Sequence, residues 1–393
     1  MQQAVREGAE KIEIVFRRER VLGEAEKRTG LSDFGSRDFE ERLDLWLESL
    51  EADETLSGVG RVGAYRDCVR YASARLRMED FVRRNPDVLE LKIERPIIVV
   101  GLPRSGTTHL LNLIAADRRL RSMPYWESLE PVPASGEDDQ RRQRCVQGHE
   151  LQSSLMPLLK NMHDMAPDHV HEEIELQGPD FSTYTIEWIA TIPRWRDYYY
   201  AHDQRPHYAY LKRALQILQF QRGPSRWVLK SPQHLEQLGP LIDTFPDATI
   251  AFTHRDPVSV IASAITMICY GDRLRCKRVD PPATAAYWID RIEHLLRRCV
   301  MDRELVPKIQ SLDILFHEFM QDDLATVERI SQLAGLEKTA QSQGQLQAYM
   351  KKNPRGKHGR IAYDLKADFG VDPGELRERF AFYYERFPVR VED

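Results

Sequence analysis

Ile97-Ile98-Val99-Val100-Gly101-Leu102-Pro103-Arg104-Ser105-Gly106-Thr107-Thr108 is the segment that sets the architecture. Its first four residues are all β-branched, the pattern of a short strand buried on both faces. A Gly-bounded turn follows, and then Leu110-Leu111-Asn112-Leu113-Ile114-Ala115-Ala116, which reads as helix. The strand signature returns at 227–229, 249–252 and 312–316, and helical stretches follow, one of them over 323–333. Strands that alternate with helices predict an α/β fold, a P-loop-type central parallel β-sheet flanked by helices. Residues 1–95 read as an N-terminal helical accessory region. Helical spacing runs over 39–50 and 65–82, and Asn85-Pro86 stops the second helix. The remaining 96–393 form the main domain. It carries a mostly helical insertion at about 135–225, rich in aromatic residues beyond Phe181 and expected over the C-terminal edge of the sheet.

Composition narrows the function. The chain has 393 residues, 42% of them hydrophobic, enough for a large buried core. Its 56 Lys and Arg against 61 Asp and Glu give a net charge of −5. That balance argues against a nucleic-acid binder but leaves room for local anion sites. No apolar run approaches the roughly 20 residues that span a bilayer, so no transmembrane segment is expected. The first 20 residues are charged throughout, without a signal-peptide core. Five irregularly spaced cysteines suggest no disulfide framework and no zinc site. A cytoplasmic protein is expected.

The Gly101–Gly106 turn is a candidate phosphate loop, since it links a strand to a helix. Backbone N–H groups converge there, and the helix start adds positive potential. The spacing fits G-x-x-x-x-G-K-[ST] except that Thr107 takes the lysine position. The cation has moved into the loop, to Arg104. Backbone amides, Ser105, Gly106, the hydroxyls of Thr107 and Thr108, and one guanidinium suit a shorter anionic chain than a nucleoside triphosphate with Mg²⁺. The bland reading is a tight glycine turn.

Pro-Arg-Ser-Gly-Thr-Thr after a β-branched strand resembles the 5′-phosphosulfate loop of the PAPS-dependent sulfotransferases, most closely the bacterial Gly-Leu-Pro-Arg branch. PAPS is 3′-phosphoadenosine 5′-phosphosulfate, and PAP is its desulfated product. The resemblance covers roughly 97–370. It implies a second site, for the 3′-phosphate, built from an Arg at a strand end and a Ser eight positions on. Arg255 and Ser263 match both type and spacing. It also implies a basic Gly loop closing over that phosphate, for which Arg355, Gly356, Lys357, His358 and Gly359 are the counterpart. The two cradles are expected to lie apart by the length of an adenosine. PAPS is thus the expected cosubstrate, with no metal. A kinase or NTPase with a variant loop, and a non-catalytic nucleotide-binding protein, are the alternatives.

Sulfuryl transfer needs a base for the acceptor proton and cations for the leaving phosphate. Arg104 and Lys230, the latter at a strand end, are the electrostatic candidates. Lys230 precedes Arg255 by 25 residues, close to the family's spacing. In the family's animal cytosolic branch a catalytic His follows that lysine by two residues, but here Pro232 stands there. Glu127, 23 residues after Arg104, matches the position of a catalytic Glu in other branches and is the first candidate base. His171, in His169-Val170-His171-Glu172-Glu173, is the second, and a neighbour in that cluster is an alternative for orienting the acceptor. The aromatic residues at 181–210 read either as core or as a lid on the acceptor. The expected partner is a small-molecule, lipid or glycan acceptor bearing a hydroxyl; a homodimer is a further option.

Overall fold

Among the described residues seven strands organise the chain: β1 (Ile97–Gly101), β2 (Leu120–Arg121), β3 (Met123–Pro124), β4 (Val170–His171), β5 (Arg226–Lys230), β6 (Thr249–His254) and β7 (Ser311–Leu315). They come from a computed structural model, which describes residues 2–134, 139–354 and 363–392. Five strands form one parallel sheet in the order β2-β5-β1-β6-β7. β1 lies at its centre, with Val99 opposite Lys230 on one side and Gly101 opposite Thr253 on the other. β3 and β4 form a separate antiparallel pair that places Met123 opposite His171.

Strand alternation splits the core into two layers. Ile97 and Val99 join Val228, Ala251 and Ile314 under the helices Thr107–Ala115 and Asp323–Leu333. Ile98 and Val100 face the other way, into a larger apolar cluster with Leu229, Ile250 and Phe252. All five residues of β1 are buried. That explains why its sequence is apolar throughout rather than alternating.

The larger cluster continues into the N-terminal helices. Phe39–Ala52 and Gly58–Arg84 contain the two predicted helical stretches. Their Trp46 packs edge-on against Phe181 at 5.3 Å and Trp195 at 6.0 Å between ring centroids. Phe181, Tyr184, Trp195, Tyr199 and Tyr208 are buried in the same cluster as Trp46 and Tyr71. These aromatic residues are core. The N-terminal region and the main domain share one apolar interior.

The five cysteines are free. Among the described residues no helix is long and apolar enough to cross a membrane.

Candidate active site

The candidate phosphate loop is shaped by one close approach and two left-handed residues. A Cβ at Gly101 would come within 2.0 Å of Thr253 Oγ1, so only glycine lets β1 end this close to β6. Gly106 sits at φ +87, and Arg104 at φ +68, a left-handed conformation unusual outside glycine. Local hydrogen bonds hold that geometry. Ser105 Oγ donates to the Leu102 carbonyl at 2.6 Å and lies 2.8 Å from Thr253 Oγ1. The Ser105 hydroxyl is therefore engaged with the loop itself. Thr107 is buried at the start of the helix, and Thr108 is half-buried beside it.

Arg255 follows β6 directly, and Asp256 caps the next helix, Pro257–Arg275, by accepting from Val258 N. Arg255 Nη1 donates to the Arg104 carbonyl at 2.6 Å, which fixes the left-handed residue of the loop. Arg104 Nε donates in turn to Ser263 Oγ at 3.0 Å, and its Nη1 to the Met162 carbonyl. The spacing of eight residues between Arg255 and Ser263 thus brings both onto Arg104. The two sites are contiguous, not separated by the length of an adenosine. The reason is the sheet order: β1 and β6 are direct neighbours, so the turns that follow them adjoin. Burial and the neighbouring Arg255 charge push the Arg104 pKa down.

Lys230 ends β5, next to β1, and is only 3% exposed. Its Nζ donates to Glu172 Oε2 at 2.5 Å, and its backbone N to Glu173 Oε2 at 2.6 Å. The other oxygen of Glu173 lies 2.7 Å from His234 Nε2, whose Nδ1 meets Tyr208 OH at 2.7 Å. Glu173 therefore ties the segment after β4 to the end of the sheet. Burial raises the Glu172 pKa, with Lys230 opposing it. His171 packs against Tyr125 at 4.5 Å and His163 at 5.7 Å between ring centroids. Burial lowers both imidazoles, His171 well below its ordinary value and His163 to about 3, with the Lys230 charge adding to each. The Arg104 charge lowers His163 as well, so the imidazole feels both cations.

Glu127 is placed elsewhere. Its carboxylate is 2% exposed and paired with Arg121 at 3.3 Å and Arg222 at 3.1 Å. Arg121 lies in β2 opposite Trp227, with its guanidinium 4.0 Å from that ring centroid. Trp227 is three residues upstream of Lys230, about 10 Å along the strand. The structure brings Glu172, rather than Glu127, to the lysine. The difference arises because the helix Tyr125–Leu129 starts at the sheet edge and turns Glu127 toward the N-terminal end of β5. Arg355, Gly356, Lys357, His358 and Gly359 lie outside the described residues.

Sequence reading passed over His163 and Met162, which no motif marks. Glu172 stood inside the marked His-Glu-Glu cluster without being chosen. His163, His171 and Glu172 bring three potential metal-ligand atoms within 4.8 Å of one another. The Lys230 ammonium already occupies one Glu172 oxygen, so a cation there would face a resident charge.

A model of the sulfotransferase family matches residues 96–340. The solved structure of sulfotransferase STF9 from Mycobacterium avium is similar over 97% of this chain and 99% of its own, with a TM-score of 0.86 at 25% identity. Sulfotransferase STF1 from Mycobacterium tuberculosis H37Rv is similar over 94% and 99%, with a TM-score of 0.79 at 25% identity. No curated protein gives a significant match.

Proposed function

Because the chain belongs to the sulfotransferase family, we propose that it moves the sulfuryl group from PAPS to a hydroxyl or amine of an acceptor, giving PAP and a sulfated product. The observation that supports this donor is the convergence of Arg104, Arg255 and Ser263 beside the glycine loop, within hydrogen-bond reach of one another. Arg255 has the Glu392 carboxylate beside it, whereas Arg104 donates to the neutral Ser263 hydroxyl and Met162 carbonyl, so a further anion is favoured where the two guanidinium groups adjoin. A ribose bearing phosphate groups on its 3′ and 5′ carbons supplies such anions at adjacent positions. In this reading the loop amides and Arg104 hold the 5′-phosphosulfate, and Arg255 and Ser263 hold the 3′-phosphate. The basic segment 355–359 is proposed to add to that second site. The acceptor is a small molecule, lipid or glycan of unassigned structure.

Glu172 takes the base role. Its side chain is 13% exposed, partial burial raises its pKa, and it touches Lys230. The acceptor O–H gives its proton to the Glu172 carboxylate as the acceptor oxygen bonds to sulfur. The bond from sulfur to the 5′-phosphate oxygen breaks, and its electron pair stays on that oxygen. Lys230 and Arg104 stabilise the charge that builds there. His171 and His163, kept neutral by burial, can each accept or donate a single hydrogen bond to orient the acceptor.

A thermal-shift titration tests the donor. PAP is expected to raise the melting temperature without Mg²⁺, by more than ATP with Mg²⁺ does. Equal or greater stabilisation by ATP–Mg²⁺ would overturn the PAPS reading in favour of nucleoside triphosphate chemistry.

A further inference from the structure

The guanidinium of Arg255 is engaged on three sides. Nη1 donates to the Arg104 carbonyl, and the Phe316 ring lies 4.1 Å from the guanidinium carbon. The remaining edge belongs to Glu392. Arg255 Nε donates to Glu392 Oε1 at 2.7 Å and Nη2 to Oε2 at 2.6 Å. This is the two-pronged geometry in which a guanidinium grips a planar carboxylate or a phosphate. A phosphate oxygen pair arriving at Arg255 would use the same edge.

The backbone around Glu392 is anchored independently of its side chain. Glu392 N donates to Asp256 Oδ2 at 2.8 Å, and its carbonyl accepts from Arg377 Nη2 at 3.2 Å. Asp256 is fully buried and caps the helix that carries Ser263. Upstream, Phe387 stacks on His254, the last residue of β6, at 3.8 Å between ring centroids. The segment is thus pinned across the end of β6, while the Glu392 carboxylate keeps about a third of its surface in solvent (29%). The carboxylate can rotate outward and the strap can stay in place.

We propose that Glu392 is a built-in competitor for the second anion site: its carboxylate and the 3′-phosphate of the nucleotide take turns on Arg255. The inference rests on the reading of Arg255 as the 3′-phosphate ligand. Two like charges on one guanidinium repel, so nucleotide binding displaces Glu392, and the return of Glu392 hastens departure of PAP. Glu392 then sets how tightly product is retained. It touches no reacting atom.

Calorimetric titrations with PAP and with adenosine 5′-monophosphate, which lacks the 3′-phosphate, test this on the wild type, Glu392→Gln and Arg255→Gln. Glu392→Gln is expected to bind PAP about fivefold tighter, and to release it more slowly by a similar factor, because a single opposing charge is removed. Its affinity for adenosine 5′-monophosphate should be unchanged. Glu392→Ala, which leaves no amide to rebind Arg255, should shift PAP affinity in the same direction. Unchanged or weaker PAP binding in both Glu392 variants, with binding lost in Arg255→Gln, would overturn the competitor while leaving the functional reading intact. Full PAP affinity in Arg255→Gln would overturn the 3′-phosphate assignment itself, and the competitor with it.

Discussion

Burial lifts both Glu127 and the partly buried Glu172 above their ordinary pKa, yet the two carboxylates face different neighbours. Glu127 faces two guanidinium groups at the sheet edge, and Glu172 faces the ammonium at the end of β5. Glu172→Gln is therefore expected to lower kcat by about 10²–10⁴-fold, the range of one general base. PAP affinity should move little. In the wild type, kcat/KM should rise with pH through a midpoint above the usual glutamate value, because only the ionised carboxylate takes a proton and burial delays its ionisation. That limb should vanish in Glu172→Gln. Glu127→Gln should keep turnover per folded molecule and lose stability, since it leaves Arg121 without its buried partner. Loss of turnover in Glu127→Gln at unchanged melting temperature would return the base role to Glu127. The sequence put Glu127 first and His171 second as the base, and Glu172 entered only as a neighbour in the His-Glu-Glu cluster. Spacing along the chain counts residues, and which end of a strand a side chain reaches depends on where the intervening helix turns. Arg255 and Ser263 were legible because a strand end and the next helix fix their separation locally. Glu392, 137 residues from its partner, had no local signal.

At the scale of elements, β1 and the loop after it carry the site, and Gly101 is where they meet β6. Gly101→Ala would drive a methyl into Thr253 Oγ1 and the Thr253 carbonyl, at 2.0 Å and 3.0 Å. The Thr253 hydroxyl can turn away only by giving up Ser105, and its carbonyl cannot yield, so β1 and β6 must separate. The expected cost is about 1–3 kcal/mol, the usual range for overpacking. Chemical denaturation should register that loss, and calorimetry should show weakened PAP binding, because Thr253 also meets Ser105 across the loop. A variant with wild-type stability and affinity would show that the approach of the strands is looser than this geometry. β1 was readable because a strand buried on both faces leaves no polar position in its β-branched run, and β5, β6 and β7 were readable from shorter apolar runs that lead into a turn and a helix. β2, β3 and β4 were not. Each has two residues, and a pair of residues becomes a strand only through its partner, Trp227 for Arg121 and His171 for Met123. The short β3–β4 pair matters nonetheless, because it places His171 and, just beyond it, Glu172 near Lys230.

Across the whole molecule, the N-terminal helices act as a clamp on the segment that bears the proposed base. Glu173–Asp180 begins at the residue bonded to the Lys230 backbone. From the outer side it is gripped by Tyr71 and Arg70, which donate to Glu175 at 2.9 Å and 3.1 Å. Arg42 and Arg75 both reach Asp180 Oδ1, at 2.9 Å and 3.1 Å, and His207 Nδ1 meets Oδ2 at 2.5 Å. Helical periodicity had foretold the face that carries Trp46, but not that the same helices would send two arginines to one distant aspartate. Charged residues inside an otherwise amphipathic helix look like solvent contacts until the partner is in view. Asp180→Asn keeps the volume and removes the charge, leaving the buried Arg75 without its paired carboxylate and Arg42 with Asp38 alone. The expected loss is about 3–5 kcal/mol, as for a buried ion pair broken from one side. Urea unfolding should show it as one earlier transition in which tryptophan fluorescence and secondary structure change together, because the helices and the sheet share a core. Below that transition, kcat should fall while PAP affinity holds, since the clamp positions Glu172 and not the phosphate loop. Separate unfolding of the N-terminal helices, or a drop in PAP affinity larger than the drop in kcat, would contradict the clamp.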